Sequence, residues 1–441
     1  MSLGFFAPIV FVVTVFCLIK RKYLLYAVIF FAPFQTCSVV VLGEFSLQPG
    51  HYFLALLVIY TAIRIVVKNE IIVFPSGFLA AFIAWALLSI FLADIFNINE
   101  PVYGIGNGVE LKSSLVSIQN FTQYLYLLSG FLTYWIIYAY CVSSNVKWES
   151  LVRVALVSGA AVILIGIYQF VALNWNLPYD EFFGNPASGR WQTLERAQST
   201  MQEASFLGQY CIYVMVLTVA WGGNAFIKSR YRNILICCIL VVGVLSRSTT
   251  FLIGLFSILA CYFLVCLLFG TRQKKWKSEN IIKVIIGIMI FAGLALYLWL
   301  ANTYFQQLIN SAIDKFNSES VSAIERSSVF SYMFNIGLNY PIFGIGYGGG
   351  RSTDLYANIF STTGLVGLFL FLSFFITRGY VAFTHRSEKG FWICILFIVG
   401  FATTSISIPD LTNLPVWVFI AILDARCAFV RRSLPQASRR S

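Results

Sequence analysis

An all-α polytopic membrane protein of about 12–13 transmembrane helices, with amphipathic helices on its outer face, is the fold class this sequence predicts. Three observations predict it. Hydrophobic residues make up 59% of the 441 residues and charged residues 11%, against about 25% charged in a soluble domain. Mean hydropathy is +0.81, and the apolar residues come in runs near the roughly 20 residues that a hydrocarbon core requires. Finally, seven short loops or ends hold 23 of the 30 Lys and Arg but only five of the 18 acids. The other loops hold the remaining seven bases and 13 acids. That asymmetry makes the basic loops cytoplasmic. It also accounts for most of the net charge of +12 without nucleic acid.

The elements follow in order. Run 3–19 precedes Lys20-Arg21-Lys22, the reverse order to a signal peptide, so it reads as a retained span. The lower count, about 12, applies if this run lies in the membrane interface. Runs 23–42, 52–67, 74–94, 118–141, 152–173 and 205–222 follow between alternately basic and acidic loops. The uncharged residues from Ile234 to Phe269 are broken by one charge, Arg247. At 1.5 Å per residue that stretch would extend roughly 54 Å, too long for one crossing. It therefore forms a hairpin of spans 233–246 and 248–269, with Ser246-Arg247-Ser248 at an outer turn. Runs 281–300, 356–377, 391–408 and 414–430 complete a single integral membrane domain over 1–441, ending in a basic cytoplasmic tail, 431–441.

Three outer loops are long: 95–117, 174–204 and 301–355. In the last, Phe305, Leu308, Ile309, Ala312, Ile313 and Phe316 recur at helical spacing, an amphipathic helix on the membrane surface. A second helix over about 321–338 should stop before Pro341. Cysteine labelling of intact cells, in a cysteine-free background, tests this topology. Ser318→Cys is expected to react and Ser278→Cys to stay protected; the opposite pattern would invert every assignment above.

The ten cysteines lie mostly in apolar runs with no CxxC, and His51 and His385 fall on opposite sides. Neither a zinc site nor a Ser-His-Asp triad is expected, and no cofactor is called for. The outer bases are Lys112, Arg190, Arg196, Arg247, Lys315, Arg326 and Arg351. Converging guanidinium groups would clamp phosphate oxygens in pairs; the alternative is that each pairs with an acid or snorkels to lipid phosphates. Residues 339–350, "NYPIFGIGYGGG", add glycines at 344, 346, 348, 349 and 350. They allow positive φ and an anion-binding nest, with Gly346 and Gly348 the candidates, while the absence of a Lys-Ser or Lys-Thr ending excludes a P-loop.

Glu325-Arg326, then "YPIFGIGYGGG", then a span carrying "TTGLVG" resemble the O-antigen ligase/polymerase superfamily. "RAQSTMQEASFLGQY" at 196–210 is similar to that family's earlier arginine-bearing segment, and "LSRSTTFLIG" at 245–254 to its Ser-Arg hairpin. The resemblance covers residues 190–370; the first 180 match only in hydropathy. It implies a fold near the membrane-embedded GT-C-like glycosyltransferases and an active site on the periplasmic face of a bacterial inner membrane. It also implies a substrate oligosaccharide carried by undecaprenyl pyrophosphate, with Arg196, Arg247 and Arg326 contacting the pyrophosphate. Membrane lipids and a chain-length regulator protein are the other implied partners.

Ligases of the family tend to carry a His-Asn pair where this chain has Thr353 and Asp354, which favours a polymerase that joins repeat units to one another. Deprotonating the acceptor hydroxyl needs a base, and Asp354, Glu203 and Glu195 are the candidates, each with a competing reading as an arginine partner. Tyr347 and Trp191 are candidates to stack on sugar rings, although aromatics also gather at membrane interfaces for other reasons. The rival expectations are a ligase with a different base and a lipid-linked oligosaccharide flippase. A flippase would carry charges within its spans.

Overall fold

A computed structural model of the protein describes residues 2–42, 45–68, 73–75, 77–103, 111–143, 146–175, 177–179, 183, 196–221, 229–269, 321–384 and 390–432. The expected span 281–300, the amphipathic helix 305–316, Ser278 and Ser318 lie outside them, as do Arg190, Trp191 and Glu195. Among the described residues there are thirteen helices. They are α1 (Ala7–Ile19), α2 (Lys22–Phe31), α3 (Pro49–Lys68), α4 (Gly77–Ile95), α5 (Ile118–Val142), α6 (Trp148–Trp175) and α7 (Ala204–Trp221). The rest are α8 (Ser229–Leu245), α9 (Thr249–Phe269), α10 (Val321–Asn339), α11 (Leu355–Thr384), α12 (Gly390–Thr404) and α13 (Leu414–Arg432). Five of them, α3 to α6 and α11, are long and apolar enough to cross a membrane. The protein is an all-α membrane protein.

The two expected spans nearest the amino terminus come out shorter. Run 23–42 forms a helix only to Phe31, because Pro33 has no N–H with which to continue the ladder. The β-branched run that follows pairs instead as a strand: β2 (Val40–Leu42) lies between β1 (Ser2–Leu3) and β3 (Phe45–Leu47) in one antiparallel sheet. Residues 3–6 thus precede α1 rather than belonging to it. A second hairpin, β4 (Pro101–Tyr103) and β5 (Leu111–Ser113), forms in loop 95–117.

The hairpin around Arg247 takes the expected form, α8 and α9 joined by a turn at Ser246-Arg247. Helix α10 ends at Asn339, ahead of Pro341. Helix α11 is broken at Gly364, with φ 68° and ψ −171°. The freed Leu365 N–H donates to Pro341 O at 2.7 Å, and Ile345 N–H donates back to Ser361 O at 2.9 Å. A Cβ at Gly364 would collide with the Ile342 carbonyl, so glycine is required by both φ and space.

Helix α13 packs on α5, α12 on α7 and α9, and α11 on α4 and α10. One expectation of the charge count fails here. Arg378, read as part of a cytoplasmic loop, lies within α11, and Asp424, counted with the carboxyl-terminal bases, faces it from within α13. They form a buried bidentate pair, Nε to Oδ1 at 2.7 Å and Nη2 to Oδ2 at 3.0 Å. The Tyr134 hydroxyl of α5 donates to Asp424 Oδ2 at 2.5 Å. A hydropathy window registers each charge separately and cannot see that they neutralise one another across two helices.

Candidate functional site

The α8–α9 turn begins the site. Ser246 N–H donates to Val242 O and Arg247 N–H to Val244 O, each at 2.9 Å, closing the end of α8. Arg247 takes φ 47°, a left-handed conformation that costs a non-glycine residue roughly 1–3 kcal/mol. A glycine would adopt it freely. An arginine kept there at a cost points to a use for its side chain.

Residues 196–203 pack beside that turn. Arg196 Nε donates to Ser246 O at 3.2 Å, and Ala197 N–H to Leu245 O at 3.0 Å. The Gln169 side chain of α6 accepts from the N–H groups of Gln198 and Ser199, both at 2.7 Å. Thr200 O accepts from the N–H groups of Gln35 and Thr36. Glu203 then caps the start of α7, its carbonyl accepting from Leu207 N–H and its Oε2 from Ser205 Oγ at 2.9 Å.

Arg326 comes from a third segment, the exposed first turns of α10. Burial holds the Arg196 guanidinium below its ordinary pKa, the positive charges of Arg326 and Arg247 lower it further, and Glu203 opposes them. Arg326, Glu203 and Arg247 therefore all lie within Coulombic range of Arg196. Three segments far apart in sequence bring like charges together, a configuration that repels itself until an anion arrives.

A second pair joins the cluster: Arg351, one of the outer bases expected from sequence, and Asp410, which sequence reasoning did not single out. Asp410, in the α12–α13 connection, accepts from Arg351 Nη2 at 2.6 Å. Its loop is fastened to the start of α11: Asn358 Nδ2 donates to Pro409 O at 3.0 Å and Leu355 N–H to Ser405 O at 2.9 Å. Burial raises the Asp410 pKa; Arg351 lowers it, and the Glu203 carboxylate raises it, which brings Asp410 to the same cluster. The only sequence signal was that Asp410 is the one acid between the last two apolar runs. No motif spacing marks it.

The remaining expected residues fall elsewhere. Asp354 is buried as the N-cap of α11: Oδ1 accepts from Ala357 N–H at 2.8 Å and Oδ2 from Ser352 Oγ at 3.1 Å. Burial raises its pKa, and these hydrogen bonds only partly offset that. Both oxygens are engaged by the fold. Gly346 and Gly348 do take positive φ, 88° and 78°, but they use it to approach other helices. A Cβ on Gly346 would lie 3.0 Å from that of Ala93 on α4, and one on Gly348 2.9 Å from Gln123 Cβ on α5. The N–H groups of Gly344, Ile345, Tyr347, Gly349 and Arg351 all donate within the protein. The glycine segment thus serves as a packing joint against α4 and α5. Tyr347 is only 7% exposed, its ring within the core and its carbonyl held by Asn120 Nδ2 at 3.0 Å. In this conformation it offers no face to a sugar.

No family model and no curated protein matches this chain. The class of protein is defined by fold and site alone: an all-α membrane protein in which Arg196, Arg247, Arg326 and Arg351 lie near Glu203 and Asp410.

Proposed function

We propose that the chain is a surface-polysaccharide polymerase of the O-antigen ligase/polymerase kind, working on the periplasmic face of a bacterial inner membrane. It transfers a growing glycan from undecaprenyl pyrophosphate to a sugar hydroxyl of the next lipid-linked repeat unit. The observation that supports this reading is that Arg247 and Arg326 both lie near enough to Arg196 for their charges to lower its pKa, and these are the three arginines picked out by sequence resemblance. In the reaction the acceptor oxygen bonds to the anomeric carbon as the bond to the pyrophosphate oxygen breaks. The leaving pyrophosphate takes the electron pair and a base takes the hydroxyl proton. The arginines stabilise charge that develops on the leaving group.

Glu203 fits the base better than Asp354. It is partly exposed beside Arg196, and among the described residues its carboxylate accepts from Ser205 Oγ. Glu203→Gln is expected to lower the rate of polymer formation by roughly a hundredfold or more, the scale of a lost general base. Asp354→Asn should keep near-normal polymer, because asparagine caps a helix as well as aspartate does. Matched-expression complementation, read as polymer length on a gel, separates the two, and the reverse result would return the role to Asp354.

The flippase reading gains one observation, the charged pair Arg378–Asp424 inside the helices, but each charge there is consumed by the other. Gene deletion tests the reading as a whole. Single-repeat chains on the surface mark a polymerase, unattached polymer a ligase, and loss of all surface glycan a flippase.

A further inference from the structure

Helices α6 and α8 line a groove of about 450 Å³ that begins at Arg153 and Tyr231. Its walls are two helical stripes, Arg153, Val157, Ala160 and Leu164 on α6 and Tyr231, Ile234 and Cys238 on α8. Steps of three, four and seven residues put each set on one face of its helix. Val157 is 56% exposed, Leu164 62% and Tyr231 61%, so the groove opens sideways from the bundle. Its polarity is one-ended: Arg153 and Tyr231 at the basic side, apolar side chains beyond.

The length matters as well. From Arg153 to Leu164 the helix rises about 16 Å, near half of a roughly 30 Å hydrocarbon core. That is the depth of one leaflet. Above it the helices close. A Cβ on Gly166 would lie 3.1 Å from Val242 Cγ1, and residues 197–199 are bonded to both helices through Leu245 O and Gln169 Oε1. This seam separates the groove from the arginine cluster, so a carrier whose pyrophosphate sat at that cluster would not run its chain down here. In the sequence, Lys147, Arg230 and Arg232 flank these stripes, with Glu149 as the one acid among them.

We propose that this groove binds one acyl chain of an anionic phospholipid from the leaflet on the basic side, with its phosphate at Arg153 and the Tyr231 hydroxyl. The site is independent of the polymerase reading. Native mass spectrometry of the purified full-length protein tests it, using phosphatidylglycerol and phosphatidylcholine of identical chains. Wild type should retain phosphatidylglycerol preferentially, and Arg153→Gln should reduce that preference about fivefold, the ratio expected of one juxtamembrane arginine. Ala160→Trp, which fills the groove, should lower retention of both lipids, whereas Val219→Trp on another exposed surface should not. Thermal melts confirm that each variant is folded. Equal retention of the two lipids by wild type, or unchanged retention by Ala160→Trp, would overturn the proposal. So would displacement of phosphatidylglycerol by equimolar undecaprenyl phosphate, which would mark the groove as the carrier's.

Discussion

Arg247→Gly is expected to make the protein more stable and nearly inactive at once. The stabilisation follows from the backbone: residue 247 sits at φ 47°, and glycine removes a left-handed penalty of roughly 1 kcal/mol or more. The loss follows from the side chain. A charge-assisted contact that strengthens in the transition state is worth about 3 kcal/mol, roughly a hundredfold in rate. Arg247→Ala should lose as much activity without the gain in stability. Arg247→Lys should lose much of it, because an ammonium is a point charge where guanidinium engages two oxygens in a plane. An arginine that only snorkelled would predict otherwise, since lysine snorkels as well. The measurements are polymer length in a complemented deletion strain and thermal unfolding of the same variants in detergent. Wild-type polymer from the Gly and Lys variants would make Arg247 a membrane anchor, and the anion site would have to be sought without it.

Asp424→Leu or Arg378→Met alone is expected to destabilise the fold by about 3–5 kcal/mol, because each leaves its partner buried and uncompensated. Arg378 also lies over the Phe374 ring at 4.7 Å and shares Asp424 with the Tyr134 hydroxyl. The pair therefore ties α5, α11 and α13 together. Combining the two substitutions should restore most of the loss, since a buried ion pair is often no better than an apolar pair of similar volume. Melting of the purified variants reads this directly. A single variant that melts with wild type would mean the pair is hydrated. A double variant as unstable as either single one would mean that the geometry of the pair, not its neutrality, holds the helices.

Much of the architecture was legible along the chain. Transfer of apolar residues into hydrocarbon is close to additive, so run lengths and loop charges locate helices without knowledge of their neighbours. The stretch from Ile234 to Phe269 had to fold back because it outruns a bilayer, and Arg247 had to sit at the bend. Pro341 had to end α10. The same additivity hid the strand at Val40–Leu42, since hydropathy weighs valine alike in helix and strand. It also assigned Arg378 to a loop.

The site divides the same way. Arg196, Arg247 and Arg326 could be named from sequence, because the loop charges placed them among seven expected outer bases and the family resemblance singled out these three. Asp410 could not, because its meaning depends on Arg351 and Glu203, which only the folded chain brings near it. Nor could the sequence tell a capping Asp354 from a catalytic one, or a glycine that approaches α4 from one that cradles an anion. Those distinctions depend on which donors occupy each oxygen and what lies against each Cα. Such contacts join residues far apart in the chain, and only the tertiary structure decides them.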